Sequence, residues 1–296
     1  MLDRGGSHDR PAPHDWPAEY AELVAADRRA ALPPEDLDRL AVAAFVLGHD
    51  AEVAAFRERA YAGYLAAGVP VRAARCGFWL GFHLENRGER ARAAGWRARL
   101  RRLADAEQAP DGPVHGMAVL AEAAGKMLAG DPVGALPMFD SGFAAAERTG
   151  DTDLLVLGCL GRGRCLEMTG RRAEAVAALD EAMVHATGGD AAPQVTGLAY
   201  CSVIDLCMRV FDLRRAQEWT QALTGWCDEQ SGLVPYRGTC LVHRAEILQL
   251  RGAWPEAESA AEDACRRLAA NGERAVGYAY YRLAELDRVR GRLPAA

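Results

Sequence analysis

A turn recurs about every 40 residues along this chain, and no other feature restricts the fold as much. It reads Gly or a near-equivalent, a short polar stretch, then a small residue five positions on. The instances are GHDAEV (48–53), GERARA (88–93), GDPVGA (130–135), GRRAEA (170–175), FDLRRA (211–216), GAWPEA (252–257) and GRLPAA (291–296). Successive starts lie 40, 42, 40, 41, 41 and 39 residues apart. A fixed period in this range is the signature of a solenoid of helix pairs, each pair burying its apolar face against the next. Such an array offers a long groove and no ready-made catalytic machinery.

The residues between the turns support helix. Ala, Leu, Arg and Glu dominate, and long β-branched runs are scarce. The chain is 50% apolar, enough to bury a core that runs through the whole array. Trp16 to about Leu32 reads as a lead-in capping helix after a polar, flexible start (1–15). Residues 1–34 thus form a flexible N-terminus with its cap, and 35–296 the repeat array. Helices before the turn (A) are predicted at 35–47, 71–87, 114–129, 154–169, 195–210, 237–251 and 274–290. Helices after it (B) are predicted at 50–67, 89–106, 132–149, 172–186, 213–229 and 254–271, with Gly/Pro/Asp loops between units. The seventh turn, GRLPAA, opens where a further B helix is due, so the array is expected to be truncated in its last repeat.

Alignment on the turn residue exposes three columns. Seven positions before it stand Ala41, Gly81, Ala123, Gly163, Ile204, Ala245 and Ala284. Five after it stand Val53, Ala93, Ala135, Ala175, Ala216, Ala257 and Ala296; twelve after it, Ala60, Leu100, Gly142, Ala182, Leu223 and Ala264. Most are small, as close helix crossings require.

Several chemistries find no support. With a net charge of −6 the chain as a whole is a poor nucleic-acid binder. No phosphate loop, dinucleotide fingerprint or nucleophile elbow is present; GRGRC (161–165) lies inside an expected helix and reads as small-residue packing. Of the eight cysteines, only Cys240 with His243 has the helical spacing of a metal pair, and no CxxC occurs, so no metal site and no cofactor are expected. The cysteines read as small buried hydrophobes. No segment has the apolar length of a signal peptide core or a membrane span, which points to the cytoplasm. The arginine-rich stretch from Arg87 to Arg102 is flanked by Glu85, Glu89, Asp105 and Glu107 and reads as a solvated helix face, with self-association as the other use. Trp219, Trp226 and Trp254 read as plugs between repeats, and the loop at 233–237 as a secondary candidate for touching a ligand or neighbouring domain.

The three columns resemble the tetratricopeptide repeat, which places small residues at the same offsets. The resemblance covers about residues 35–296, with a period longer than the usual one. Lengthened repeats of this kind are similar to the sensor regions of LuxR-type (MalT-like) transcription regulators. The stretches ARCGFWLGFHLENRGERARAAGW (74–96), FDLRRAQEWTQALTGWCDEQSGLVPYRGTCLVHRAEILQLRGAW (211–254) and AVGYAYYRLAELDRVRGRLPAA (275–296) resemble an actinobacterial LuxR-type family. The implied fold is an all-α, right-handed solenoid of tetratricopeptide-like helix pairs. The implied function is an effector- or partner-binding sensor region, without enzymatic activity, that reaches DNA only through a C-terminal domain absent here. A homodimer fits the same picture. The alternative is a stand-alone scaffold that holds a protein or peptide in its concave groove.

The resemblance also implies which residues line that groove, because positions ten, six and three before the turn residue point inward in such repeats. Carried over, they give the aromatic start Phe78 and Phe82, the charged stretch Arg164, Glu167, Asp205 and Glu246, and Met208, Gln249, Tyr281 and Glu285 toward the end. Arg164, Glu167, Asp205 and Glu246 stand on successive A helices beside an apolar wall, as in a ligand site. The competing reading is a salt-bridge ladder that only fixes repeat stacking.

Overall fold

In the computed structural model, residues 14–107, 109, 112–230, 232–233, 236–270 and 276–292 are described. They form helices from end to end: the lead-in α1 (Trp16–Arg29), then the pairs α2 (Pro34–Val46) and α3 (Asp50–Ala66), α4 (Pro70–Asn86) and α5 (Arg90–Glu107), and α6 (Pro113–Leu128) and α7 (Pro132–Thr149). They continue as α8 (Thr152–Met168) and α9 (Arg172–Thr187), α10 (Pro193–Arg209) and α11 (Leu213–Glu229), α12 (Arg237–Leu250) and α13 (Trp254–Ala270), and a last A helix, α14 (Val276–Val289). No strand occurs among the described residues. The predicted helices recur within two or three residues of their expected ends; α1 stops at Arg29 rather than Leu32 because Ala30 turns extended. The expected flexible start falls almost wholly on 1–13, and the last four residues of GRLPAA on 293–296, outside the described residues.

Each turn has the same physical cause. Its Gly adopts a left-handed conformation, with φ from 74° at Gly48 to 90° at Gly130. The next residue then donates its N–H five residues back, as in Glu89 to Leu84 (2.9 Å), Arg171 to Leu166 (2.9 Å) and Ala253 to Leu248 (3.0 Å). Caps and prolines start the following helices: Asp131 accepts from the Gly134 N–H and Asp151 from the Leu154 N–H, and Pro34, Pro70, Pro113, Pro132 and Pro193 sit at helix starts.

Phe211 occupies the Gly position of the fifth turn and takes the same conformation, φ 65°, with its side chain 69% exposed. A β-carbon there costs about 1–2 kcal/mol, partly offset by the greater freedom glycine gives the unfolded chain. Phe211→Gly is expected to raise the melting temperature by about one to three degrees. A lower value would show that the exposed ring contributes packing that the fold does not display.

The small-residue columns are the crossings. Ala41, Ala123, Ala245, Ala93, Ala135, Ala175, Ala216, Ala257, Ala60, Ala182 and Ala264 are all fully buried. At Gly142 an added β-carbon would lie 2.4 Å from the Leu120 Cδ2, and at Gly163 2.8 Å from the Leu179 Cδ2. Between units, A helix packs on A helix: α4 on α6, α6 on α8, α8 on α10, α10 on α12 and α12 on α14. No comparable row links the B helices among the described residues, so the array curls with the A helices on its inner side.

The curl brings distant segments together. The Trp16 indole lies 3.5 Å from Gln230, the Phe45 and Tyr236 rings are 6.3 Å apart, and α2 touches α10. Tyr236 is held by its hydroxyl, which donates to the Gln194 carbonyl at 2.7 Å, and by Gly197, where a β-carbon would collide with the ring at 2.2 Å. Leu233 is buried as well. Within the 233–237 loop, Leu233 and Tyr236 thus pack against the core; Val234 and Pro235 lie outside the described residues.

Candidate functional site

The inner side of the curl holds a hollow of about 270 Å³ between α4, α6, α8 and α10. Phe78, Phe82, Leu120, Met127 and Leu160 form its wall, with Leu157, Leu198 and Leu206 closing one side. Phe78 and Phe82 are fixed by Trp79, which meets both rings edge-on at 5.4 and 5.7 Å. The floor depends on glycine. Phe139 of α7 and Leu179 of α9 reach it from B helices, where Gly161 and Gly163 of α8 leave room; a β-carbon on Gly161 would lie 2.0 Å from the Phe139 Cε1. The GRGRC stretch is thus a packing feature, as its helical position implies.

One edge of the hollow is charged. Arg164 donates to Glu167 at 2.8 Å and lies 3.8 Å from Asp205. Arg209 pairs with Asp205 at 3.0 Å and stands 3.8 Å from Glu167. The four side chains form a closed ladder of balanced charge from α8 to α10. Arg164, Asp205 and Arg209 are 40%, 47% and 46% exposed, so water screens these pairs and they contribute little stability.

Beyond Ser202 and Asp205, which border both, a second hollow of about 640 Å³ opens between α10, α12 and α14. Met208, Arg209, His243, Glu246 and Arg282 line it. Arg282 holds Glu246 at 2.9 Å. Burial raises the Glu246 carboxyl, against the pull of Arg282, and burial pushes the His243 imidazole down to about 4, which leaves it neutral near pH 7.

Of the residues that the resemblance assigns to the groove, Phe78, Phe82, Arg164, Glu167 and Asp205 border the first hollow, and Asp205, Met208 and Glu246 the second. Gln249, Tyr281 and Glu285 border neither. The Gln249 Oε1 is buried without a hydrogen-bond partner, Tyr281 is 53% exposed with the Arg282 guanidinium over its ring, and Glu285 is bound to Arg288 at 2.9 Å. Sequence reasoning missed Leu157 and Leu198, thirteen before their turn residues, and Gly161 and Ser202, nine before. With positions ten and six before, they complete an i, i+3, i+4, i+7 stripe, and that spacing was the available signal.

The remaining candidates are absorbed by the fold. The arginine-rich helix α5 is paired rather than a bare cationic face: Arg92 binds Glu89 and Glu58, Arg97 binds Glu85, and Arg99 covers the Trp96 ring. Trp219 and Trp226 pack around Tyr200, whereas Trp254 is 39% exposed. Cys240 is buried, 3.3 Å from the Thr224 hydroxyl, and no group of three potential metal ligands exists among the described residues. Burial pushes the thiols up, to about 12 at Cys76 and Cys159 and about 11 at Cys165. At pH 8 the folded protein is therefore expected to react with a disulfide reagent at about a tenth or less of the rate of the unfolded chain. Several thiols titrating at once in the folded state would contradict the burial.

No family profile matches the chain, and no curated protein matches it. Solved structures do. The chain is similar to a signal transduction ATPase with numerous domains (STAND) that carries a tetratricopeptide repeat sensor, from Pyrococcus horikoshii. The identity is 13% and the TM-score 0.53, over 92% of this chain and 41% of that one; the chain thus spans about two fifths of the ATPase's length. It is similar also to a Rap protein complexed with competence and sporulation factor, at 13% identity and a TM-score of 0.53, over 93% of this chain and 86% of that one. Among the described residues no helix is long and apolar enough to cross a membrane. The fold these likenesses share with the chain is the tetratricopeptide-like array of packed helices.

Proposed function

We propose that this chain is a non-enzymatic sensor module that holds an effector against its A helices, with the first hollow as the principal site. The hollow carries the reading: a concave apolar wall beside a few converging polar groups is the composition of ligand pockets. The likeness to a chain with a tetratricopeptide repeat sensor supports the same role. The ladder Arg164, Glu167, Asp205 and Arg209 spans α8 and α10, so a ligand that enters between its members favours one spacing of those helices over another. The curl, read out where Phe45 meets Tyr236, then changes with occupancy.

We infer further, from the resemblance carried by segments 74–96, 211–254 and 275–296, that this module serves a LuxR-type regulator, where the curl sets the docking or dimerisation of a DNA-binding domain. Tight, specific DNA binding by the purified chain alone would contradict that division of labour. A scaffold for a peptide or protein is the second reading, favoured by two hollows side by side along the groove with Ser202 and Asp205 as their shared border.

The test is a thermal-shift screen of small molecules on the wild type and on Leu160→Trp. Leu160 is 7% exposed and lines the hollow, so the larger ring fills the site at a cost of about 1–3 kcal/mol. Hits are expected to stabilise the wild type and to lose at least about tenfold in affinity on the variant. Hits that bind both proteins equally would place the ligand elsewhere.

A further inference from the structure

The second hollow specifies the kind of ligand, granted the reading of the groove as a ligand site. Its lining contains two acids, Asp205 and Glu246, and two arginines, Arg209 and Arg282, paired with one another. The imidazole of His243 adds no charge at neutral pH, since burial holds it down to about 4. At the Arg282–Glu246 pair, where the side chains are only 21% and 25% exposed, a charged head group adds an uncompensated charge to a balanced, largely buried pair, which is costly. Hydrogen-bonding capacity, by contrast, is left over. The Arg282 Nε is buried and has no hydrogen-bond partner among the described residues, so it calls for an acceptor. Glu246 beside Arg282, and Asp205 beside Arg209 and Arg164, each keep lone pairs that the arginines do not use, so a donor is welcome too. The first hollow, which shares Ser202 and Asp205 with it as a common border, is apolar and about 270 Å³.

We propose that the two hollows together hold one small amphipathic ligand: an apolar chain or ring that fits the first hollow, ending in an uncharged head that both donates and accepts a hydrogen bond, as an amide does. The tail lies between Phe78, Phe82 and Leu160; the head accepts from Arg282 and donates to Asp205 or Glu246.

Isothermal titration of the full chain with octanamide, octanoate and octylamine tests this, since the three share a tail and differ in head. Octanamide is expected to bind about tenfold more tightly than either charged compound. Arg282→Lys keeps the positive charge beside Glu246 and removes the Nε donor; it is expected to cost octanamide about tenfold while the helical circular dichroism stays unchanged. Equal affinities, or a charged head binding best, would overturn the inference. So would Arg282→Lys binding octanamide as the wild type does. If none of the three binds while screening hits remain sensitive to Leu160→Trp, the head-group inference falls and the ligand-site reading stands. If no compound of either set binds, both fall.

Discussion

Gly161→Ala is expected to destabilise the protein by about 1–3 kcal/mol, the usual cost of forcing an atom into a packed core. The new β-carbon would sit 2.0, 2.2 and 2.4 Å from the Cε1, Cδ1 and Cζ of Phe139. That ring is 4% exposed and faces open space only at the hollow that it floors, so it can leave only by entering that hollow or by pushing α7 away from α8. The first route also displaces a ligand. The conflict is local to one pair of residues, and it should therefore be repaired there. Phe139→Leu in the Gly161→Ala background is expected to recover most of the loss, although Phe139→Leu alone destabilises. A double-mutant cycle from chemical denaturation reads this coupling. Additive losses would show that the glycine is not what lets the ring in.

Leu223→Ala is expected to cost about 2–5 kcal/mol, the range for a fully buried leucine whose cavity does not collapse. Leu223 is completely buried on α11, in the column twelve residues after the turn. Repeats contact mainly their neighbours, so the loss should be concentrated there. Hydrogen exchange is expected to accelerate in α10 to α12 and to stay slow in α4 to α7. Uniform acceleration along the chain would mean that the curl, closed by Trp16 on Gln230 and Phe45 near Tyr236, makes the array one cooperative unit.

Much of this fold is legible in the sequence because its causes are local. A left-handed glycine, a capping Asp and a helix-starting Pro each act within a few residues, and together they set the period. The columns are legible for a related reason: a crossing that excludes a β-carbon does so in every unit, and repetition makes the rule visible, with Gly142 under Leu120 as one instance. The groove was legible only in outline. Phe82, Arg164 and Asp205 follow from a position in the repeat, but Phe139 and Leu179 reach the hollow from B helices, through gaps left by glycines on another helix. How far the array curls was not legible. Trp16 and Gln230 are 214 residues apart, and their approach sums many small rotations between units, none encoded in a motif. The same sum buried Leu233 and packed Tyr236 against the core, in a loop that as a sequence read as a secondary candidate for touching a ligand or neighbouring domain, and it left Tyr281 and Glu285 on α14 away from both hollows.

A crystal structure of the protein with the tightest compound from the thermal-shift screen would decide where the effector sits. The account predicts density between α4, α6, α8 and α10, against Leu160 and beside Arg164 and Asp205. Density on the outer, B-helix side, or on the exposed tyrosines of α14, would contradict it.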